Sequence, residues 1–290
     1  MKILITGKHG QLGQQLLQDK PRPIDLVAYD RDSLDIVDRD QLRTVVVHER
    51  PDVIVNAAAY TAVDRAESDA DQAYAVNTVG VENIAQVCAD MGVQLIHVST
   101  DFVFNGQQST PYKSDDSVDP LGVYGASKAA GEQALQAILP RAIILRTAWV
   151  YSAHGNNFMN TMLRLMNARD EIEVVADQIG APTWTGTLSR AIYALASEQA
   201  ASGIYHCTDA GTASWYDFAV AIYEDGVQNG LISNNREVLI KPIAAKEYPT
   251  PAKRPNYSVL DTAKLLAATS IDLYHWREIL RGVMREKSVG

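Results

Sequence analysis

Short, almost wholly apolar runs alternate with longer amphipathic stretches through the first half of the chain. The runs at 2–5, 25–29, 52–56, 94–99 and 142–146 read as strands buried on both faces. Between them, 11–18, 39–49, 71–91 and 124–137 have helical length and spacing, and in 71–91 Ala75, Val79, Ile84 and Val87 fall near one stripe. This order predicts an α/β architecture, a parallel sheet wrapped by helices. Beyond Gly155 the alternation loosens. Helices are expected over 157–168, 185–198, 214–226 and 274–287, strands over 171–175 and 203–207, and a basic, proline-punctuated stretch covers 246–256. No internal repeat, low-complexity segment or flexible linker separates the halves, so a second lobe is expected to be interleaved with the first domain.

Composition narrows the classes without choosing among them. With 290 residues, 47% hydrophobic and 21% charged, the chain is an ordinary globular protein large enough for a sizeable core. Its net charge of −9 argues against a nucleic-acid partner, which usually meets a basic surface, but leaves room for a nucleotide-linked small molecule. Cys88 and Cys207 lie in apolar stretches without metal or redox spacing and read as buried free thiols, which suits a cytoplasmic location. The apolar run that opens the sequence is too short for a signal peptide, so none is expected, and no apolar run approaches the length of a membrane span.

The candidate chemistry begins at Gly7-Lys8-His9-Gly10-Gln11-Leu12-Gly13, between the first strand and the first helix. Glycines there permit a tight turn and close approach of backbone to a pyrophosphate, which meets free N–H groups at the helix end. The spacing is G-x-x-G-x-x-G, and a plain strand–helix turn is the alternative. Asp30 ends the second strand where an acid can bind the adenosine ribose, favouring NADH; Arg31 beside it could instead pair with a 2′-phosphate, favouring NADPH. Asn56-Ala57-Ala58-Ala59-Tyr60 closes the third strand with small residues, leaving room for a ligand across the sheet edge or for tight helix packing.

The reaction centre is read from Ser99-Thr100-Asp101 and Tyr124-Gly125-Ala126-Ser127-Lys128. Tyr124 and Lys128, four apart, share one helix face, and an ammonium beside a phenol is expected to lower its pKa. Thr100 would orient a carbonyl oxygen, Tyr124 would protonate it, and a nicotinamide would deliver hydride.

With these runs, the chain resembles the dTDP-4-dehydrorhamnose reductase family of extended short-chain dehydrogenase/reductases. The resemblance extends from Lys2 to about Asp261 and includes Asn56 to Asp64, Arg146-Thr147-Ala148-Trp149-Val150-Tyr151, Gly155-Asn156-Asn157-Phe158, Asp177 to Thr183, Ser214-Trp215-Tyr216 and Arg254-Pro255. It implies a Rossmann-type doubly wound parallel sheet with a smaller, interleaved C-terminal lobe. On that reading 1–150 binds NADPH or NADH, helped by later strands and helices, and 151–290 is mainly the substrate lobe. Thr100, Tyr124 and Lys128 become the catalytic trio. Gly7, Gly10, Gln11, Leu12, Gly13, Asp30, Arg31, Asp35, Ile36, Ala57, Ala58, Ala59 and Tyr60 join Tyr124 and Lys128 on the cofactor. Val63, Thr100, Asp101, Phe102, Trp149, Asn157 and Arg254 face a dTDP-sugar substrate. Taken alone, Trp149 reads as core, and Arg254, in the basic run Lys253-Arg254-Pro255, as either a diphosphate contact or a solvated arginine.

Two departures stand out. Phe102 occupies a place where the family usually has tyrosine, which removes a hydroxyl from the substrate region. Gln14 and Gln15 stand where some members use a glutamate to bind magnesium between subunits, so no metal site is expected, while a homodimer stays open. Two alternatives remain at this level: an epimerase or reductase for another sugar nucleotide, and a non-catalytic regulatory subunit. Thr100-Asp101-Phe102 lacks the acid pair of a dehydratase, and the intact trio argues against a retired site.

Overall fold

The computed structural model describes residues 1–289 apart from Gln199, Asn234 and Arg236. The first half alternates β1 (Lys2–Thr6), α1 (Gln11–Gln18), β2 (Asp25–Tyr29), α2 (Arg39–Glu49), β3 (Val53–Asn56), α3 (Val63–Ala66), α4 (Ala70–Tyr74), α5 (Gly80–Met91), β4 (Gln94–Thr100), α6 (Val123–Ile138) and β5 (Ile143–Thr147). The second half continues with β6 (Val150–Tyr151), α7 (Phe158–Ala168), β7 (Glu171–Val175), β8 (Ile179–Gly180), β9 (Thr183–Trp184) and α8 (Thr185–Ser197). It ends with β10 (Gly203–His206), β11 (Ala213–Ser214), α9 (Trp215–Gln228), β12 (Leu239–Ile243), α10 (Ala263–Ala268) and α11 (Trp276–Val289).

The central sheet is Rossmann-like, six-stranded and parallel, in the order β2-β1-β3-β4-β5-β10. The order reverses between β1 and β3, and in open α/β sheets ligands lie outside the carboxyl ends at such a point. Register brings those ends together, Thr6 beside Asn56 and Thr100 beside Thr147. Ile3, Ile5, Val53 and Val55 pack on one face against Leu12 and Leu16 of α1 and Leu188 and Ile192 of α8. Leu4, Ile54 and Leu95 face the other way, onto Leu42, Ile84, Val87 and Leu135. Strands covered on both faces must be apolar throughout, which is why they were visible as unbroken runs.

The second lobe has its own core, in which Met159, Met162 and Met166 of α7 meet Phe218 and Ile222 of α9 and Leu280 and Met284 of α11. It is interleaved with the first: after α8 covers the sheet, β10 adds beside β5. None of the helices among the described residues is long and apolar enough to cross a membrane.

Two expectations need correction. The helix expected over 71–91 is interrupted by a π-helical turn, Ala75–Val79, between α4 and α5. The wider turn carries Asn77 inward, where its side chain receives Tyr60 N (2.9 Å) and donates to Tyr60 O (3.1 Å) and Ser127 Oγ (3.0 Å). Strand β12 was not foreseen, because Pro242 breaks the pattern; among the described residues it pairs with β7 alone, where a missing N–H is tolerated.

Candidate active site

A groove of about 1170 Å³ runs across the carboxyl ends of the sheet and under the second lobe. Its two ends are built differently.

One end is main chain. Gly7 has φ +76°, and a Cβ there would lie 2.8 Å from Ala58 N; a Cβ on Gly13 would lie 2.3 Å from Gly7 O. Both contacts are forbidden to a side chain, so the loop closes directly on the 57–58 segment and on α1. Gly10 caps α1 without a side chain, and the first turn has no acidic residue. The leading N–H groups of the helix are therefore free to hold an anion at its positive end. Ala57, Ala58, Ala59, Tyr60, Gln11 and Leu12 line the same end.

Asp30 sits at the rim with both oxygens engaged. Lys8 Nζ (2.8 Å) and His9 Nε2 (2.9 Å) meet Oδ2, while Ser33 N (2.9 Å) and Ser33 Oγ (2.7 Å) donate to Oδ1. Lys8 first, then Ser33, hold its carboxyl well below the usual range. Arg31 is exposed beside it, and Asp35 and Ile36 line the wall beyond. Asp35 caps its own turn by accepting from Val37 N (3.0 Å).

The other end is side chain. Thr100 ends β4, donates to Asp101 Oδ1 (3.0 Å) and accepts from Phe102 N (3.2 Å). Burial pushes the Asp101 carboxyl up to about 6. Tyr124 opens α6, whose first turn is tied down by Val123 N donating to Glu67 Oε1 (2.9 Å). The Phe102 ring meets Tyr124 edge-on, centroids 5.6 Å apart. Ser99 Oγ and Thr147 Oγ1, buried in this lining, have no hydrogen-bond partner among the described residues. Such atoms are costly to leave unpaired and fit a polar ligand over the strand ends.

The electrostatics differ from expectation. Lys128 Nζ donates to Val98 O (2.7 Å) and lies 3.3 Å from His97 Nε2. Burial pushes Tyr124 up to about 12; a hydrogen bond with Thr100 opposes this and the charge of Asp101 adds to it. Lys128 itself is pushed down to about 8 by burial, against the pull of Glu132. The phenol therefore holds its proton more tightly than in water, because desolvation dominates and the hydrogen bond with Thr100 offsets only part of it.

Trp149 adopts φ +47°, rare for a bulky residue, and its ring is held against Gly180. It stacks on Trp215, centroids 3.5 Å apart and planes 6° apart, and Phe158 leans on Trp215 at 4.6 Å. Together they wall the groove. Trp215 and Phe158 appeared in the sequence only within motifs; nothing local marked them as wall, since their neighbours come from other elements.

Val63 also lines the groove. Two expected contacts, Asn157 and Arg254, are instead committed to the protein. Asn157 caps α7, accepting from Asn160 N (2.9 Å), and its Nδ2 donates to Gln11 Oε1 (2.7 Å), which also accepts from Ser152 Oγ (2.8 Å). Arg254 grips Asp64 with two bonds, 2.8 and 3.1 Å. Each bridges the lobes beside the groove and not within its lining.

The family model for the RmlD substrate binding domain matches residues 1–289. A dTDP-4-dehydrorhamnose reductase of Aggregatibacter actinomycetemcomitans is 42% identical over 290 residues, covering 97% of this chain and 98% of that one. The chain belongs to the dTDP-4-dehydrorhamnose reductase family. Solved structures agree with its fold. A dTDP-4-dehydrorhamnose reductase from Clostridium acetobutylicum superposes with a TM-score of 0.91 at 38% identity, covering 98% of each chain. One from Bacillus anthracis, in complex with NADP, has a TM-score of 0.91 at 37% identity and covers 98% of this chain and 99% of that one.

Proposed function

We propose that this protein reduces the C4 ketone of dTDP-4-dehydro-L-rhamnose to dTDP-L-rhamnose, using NADPH, with Tyr124 as proton donor. The observation that carries the reading is the convergence, in one groove, of a glycine-built anion cradle with Thr100 and Tyr124 under an aromatic wall.

The N-terminal amides of α1 and the Ala57–Ala59 segment hold the dinucleotide, with Lys128 gripping its nicotinamide end. NADPH, when bound, supplies hydride. Thr100 orients the ketone oxygen by turning its hydroxyl from Asp101 Oδ1 toward it. Tyr124 gives that oxygen its proton as negative charge builds, and a phenol pushed up to about 12 is fully protonated at neutral pH. Trp149, Trp215 and Phe158 shield the site from water and offer flat apolar surface to the dTDP-sugar. In this reading residues 1–150, with α8 and β10, serve the cofactor, and the remainder of 151–290 shapes the substrate side. NADPH is favoured over NADH because Asp30 is ion-paired with Lys8 and both its oxygens are already engaged by Lys8, His9 and Ser33, while Arg31 lies alongside.

The test follows cofactor oxidation at 340 nm with dTDP-4-dehydro-L-rhamnose generated in place. Oxidation of NADPH faster than NADH, with dTDP-L-rhamnose formed, is expected. A folded, cofactor-binding protein that oxidises neither cofactor would overturn the reading.

A further inference from the structure

Thr6 of β1, Asn56 of β3, His97 of β4 and Lys128 of α6 are all buried and form one line of side chains beneath the groove. The backbone fixes the direction of that line. Ala58 N (3.2 Å) and Thr6 Oγ1 (2.6 Å) both donate to Asn56 Oδ1. The amide must then present Nδ2 to His97, 3.0 Å from Nδ1. An amide nitrogen only donates, so Nδ1 accepts and the single proton of the neutral ring sits on Nε2. That N–H points at Lys128 Nζ, 3.3 Å away, while Lys128 donates to Val98 O. Toward a neutral amine the contact is a hydrogen bond; toward an ammonium it sets donor against donor. The other tautomer would require Asn56 to turn its NH₂ onto the Ala58 N–H, the same conflict one step back.

We propose that His97 is a positioning residue for Lys128: with its proton held on Nε2 by the Thr6–Asn56 pair, it loosens the proton on the lysine and sets the pH at which ammonium becomes amine. The proposal rests on the reductase reading only for its consequence. Burial is the larger influence on Lys128, and it also keeps His97 neutral, with the Lys128 charge adding to it. Glu132, on the same helix, favours the ammonium, but Arg146 of β5 holds it in a buried pair at 2.6 Å. Asp101, beyond the end of β4, acts on Tyr124. The ammonium that grips the cofactor is therefore lost as pH rises through about 8, giving activity an alkaline limb there.

The test needs neither substrate nor cofactor. In protein with ¹⁵N-labelled histidine, the signals of His97 are identified by their loss in His97→Gln. The expected result is a ring protonated on Nε2 and bare on Nδ1 from weakly acidic to alkaline pH. The titration of Lys128, read by NMR of ¹³C-labelled lysine, should rise by about one pH unit in His97→Gln, whose amide oxygen can face the ammonium. Asn56→Asp should move the ring proton to Nδ1, where a carboxylate accepts it, and raise the Lys128 titration as well. A wild-type ring protonated on Nδ1, or an unchanged Lys128 titration in the folded variants, would overturn the proposal. Should His97→Gln fail to fold, the His97 signals are identified as those that change in Asn56→Asp, and the wild-type tautomer and that variant decide alone. In the assay the alkaline limb should move up with the Lys128 titration, whereas a protein that never oxidises NADPH would sink the reductase reading and leave the tautomer result standing.

Discussion

The cradle end of the groove and its aromatic end meet the same ligand problem with opposite materials. At the cradle, glycines bring backbone to backbone, and what is offered to a ligand is a set of N–H groups that only proline could remove and other side chains could only displace. At the aromatic end, recognition comes from side chains on separate elements: Phe158 at the start of α7, Trp215 at the start of α9, and Trp149 in a strained turn between β5 and β6. A main-chain site tolerates change in side chains but not in Cβ atoms. A side-chain site can be retuned one residue at a time. The first suits a cofactor shared by many enzymes, the second a substrate that differs among them.

The contrast can be broken most severely where the two ends meet. Tyr124→Phe keeps the ring and its contact with Phe102 but loses the proton, so turnover should fall by about 10²–10⁴-fold with cofactor affinity nearly unchanged, measured by steady-state kinetics and NADPH fluorescence titration. Equal losses in turnover and affinity would mean that Tyr124 is part of the cofactor site alone. Next, Gly13→Ala forces a methyl toward Gly7 O; overpacking of this kind costs about 1–3 kcal/mol, so NADPH should bind roughly 10–100-fold more weakly while sugar-nucleotide binding to the apo protein changes little. Trp149→Ala should do the reverse, raising KM for the sugar nucleotide about tenfold and leaving the dissociation constant of NADPH in place. A Trp149→Ala variant that loses cofactor binding first would erase the distinction between the ends. The smallest effect belongs to Gln11→Ala, which removes the acceptor of Asn157 and Ser152. Asn157 Nδ2 retains Ser152 O at 2.9 Å, so the loss should be about 1 kcal/mol, a fall in melting temperature of roughly 2–4 °C by calorimetry.

The same division governs what could be read before any coordinates. The strands, the glycine loop and the Tyr124/Lys128 spacing are local patterns, so they were legible: α1, α2, β2 and β7 begin and end where periodicity put them. Arrangements made by residues distant in sequence were not. His97 lies 41 positions from Asn56 and 31 from Lys128, and no local signal separates it from a strand residue buried for packing alone. Asn77 was hidden inside a helical stretch because nothing local separates a π-turn from regular helix; Val79, expected on the apolar stripe, is exposed. The charge of Arg254 was visible, while its ion pair with Asp64, 190 positions away, was not. The proton affinity of Tyr124 went the same way. Spacing announced the lysine, while desolvation, which acts through the whole surrounding core, decided the direction.

The return of β10 to the sheet also shapes how the chain comes together in time. Residues leave the ribosome in order, and β5 must wait through the segment from Val150 to Ser197, which carries Phe158 of the groove wall, before its neighbour Gly203–His206 arrives. Until then its edge offers unpaired N–H and C=O groups to any passing strand. The second lobe thus lies in the path of the sheet's completion, and a lesion in the lobe core can register as aggregation of the nascent chain before it registers as a change in the groove.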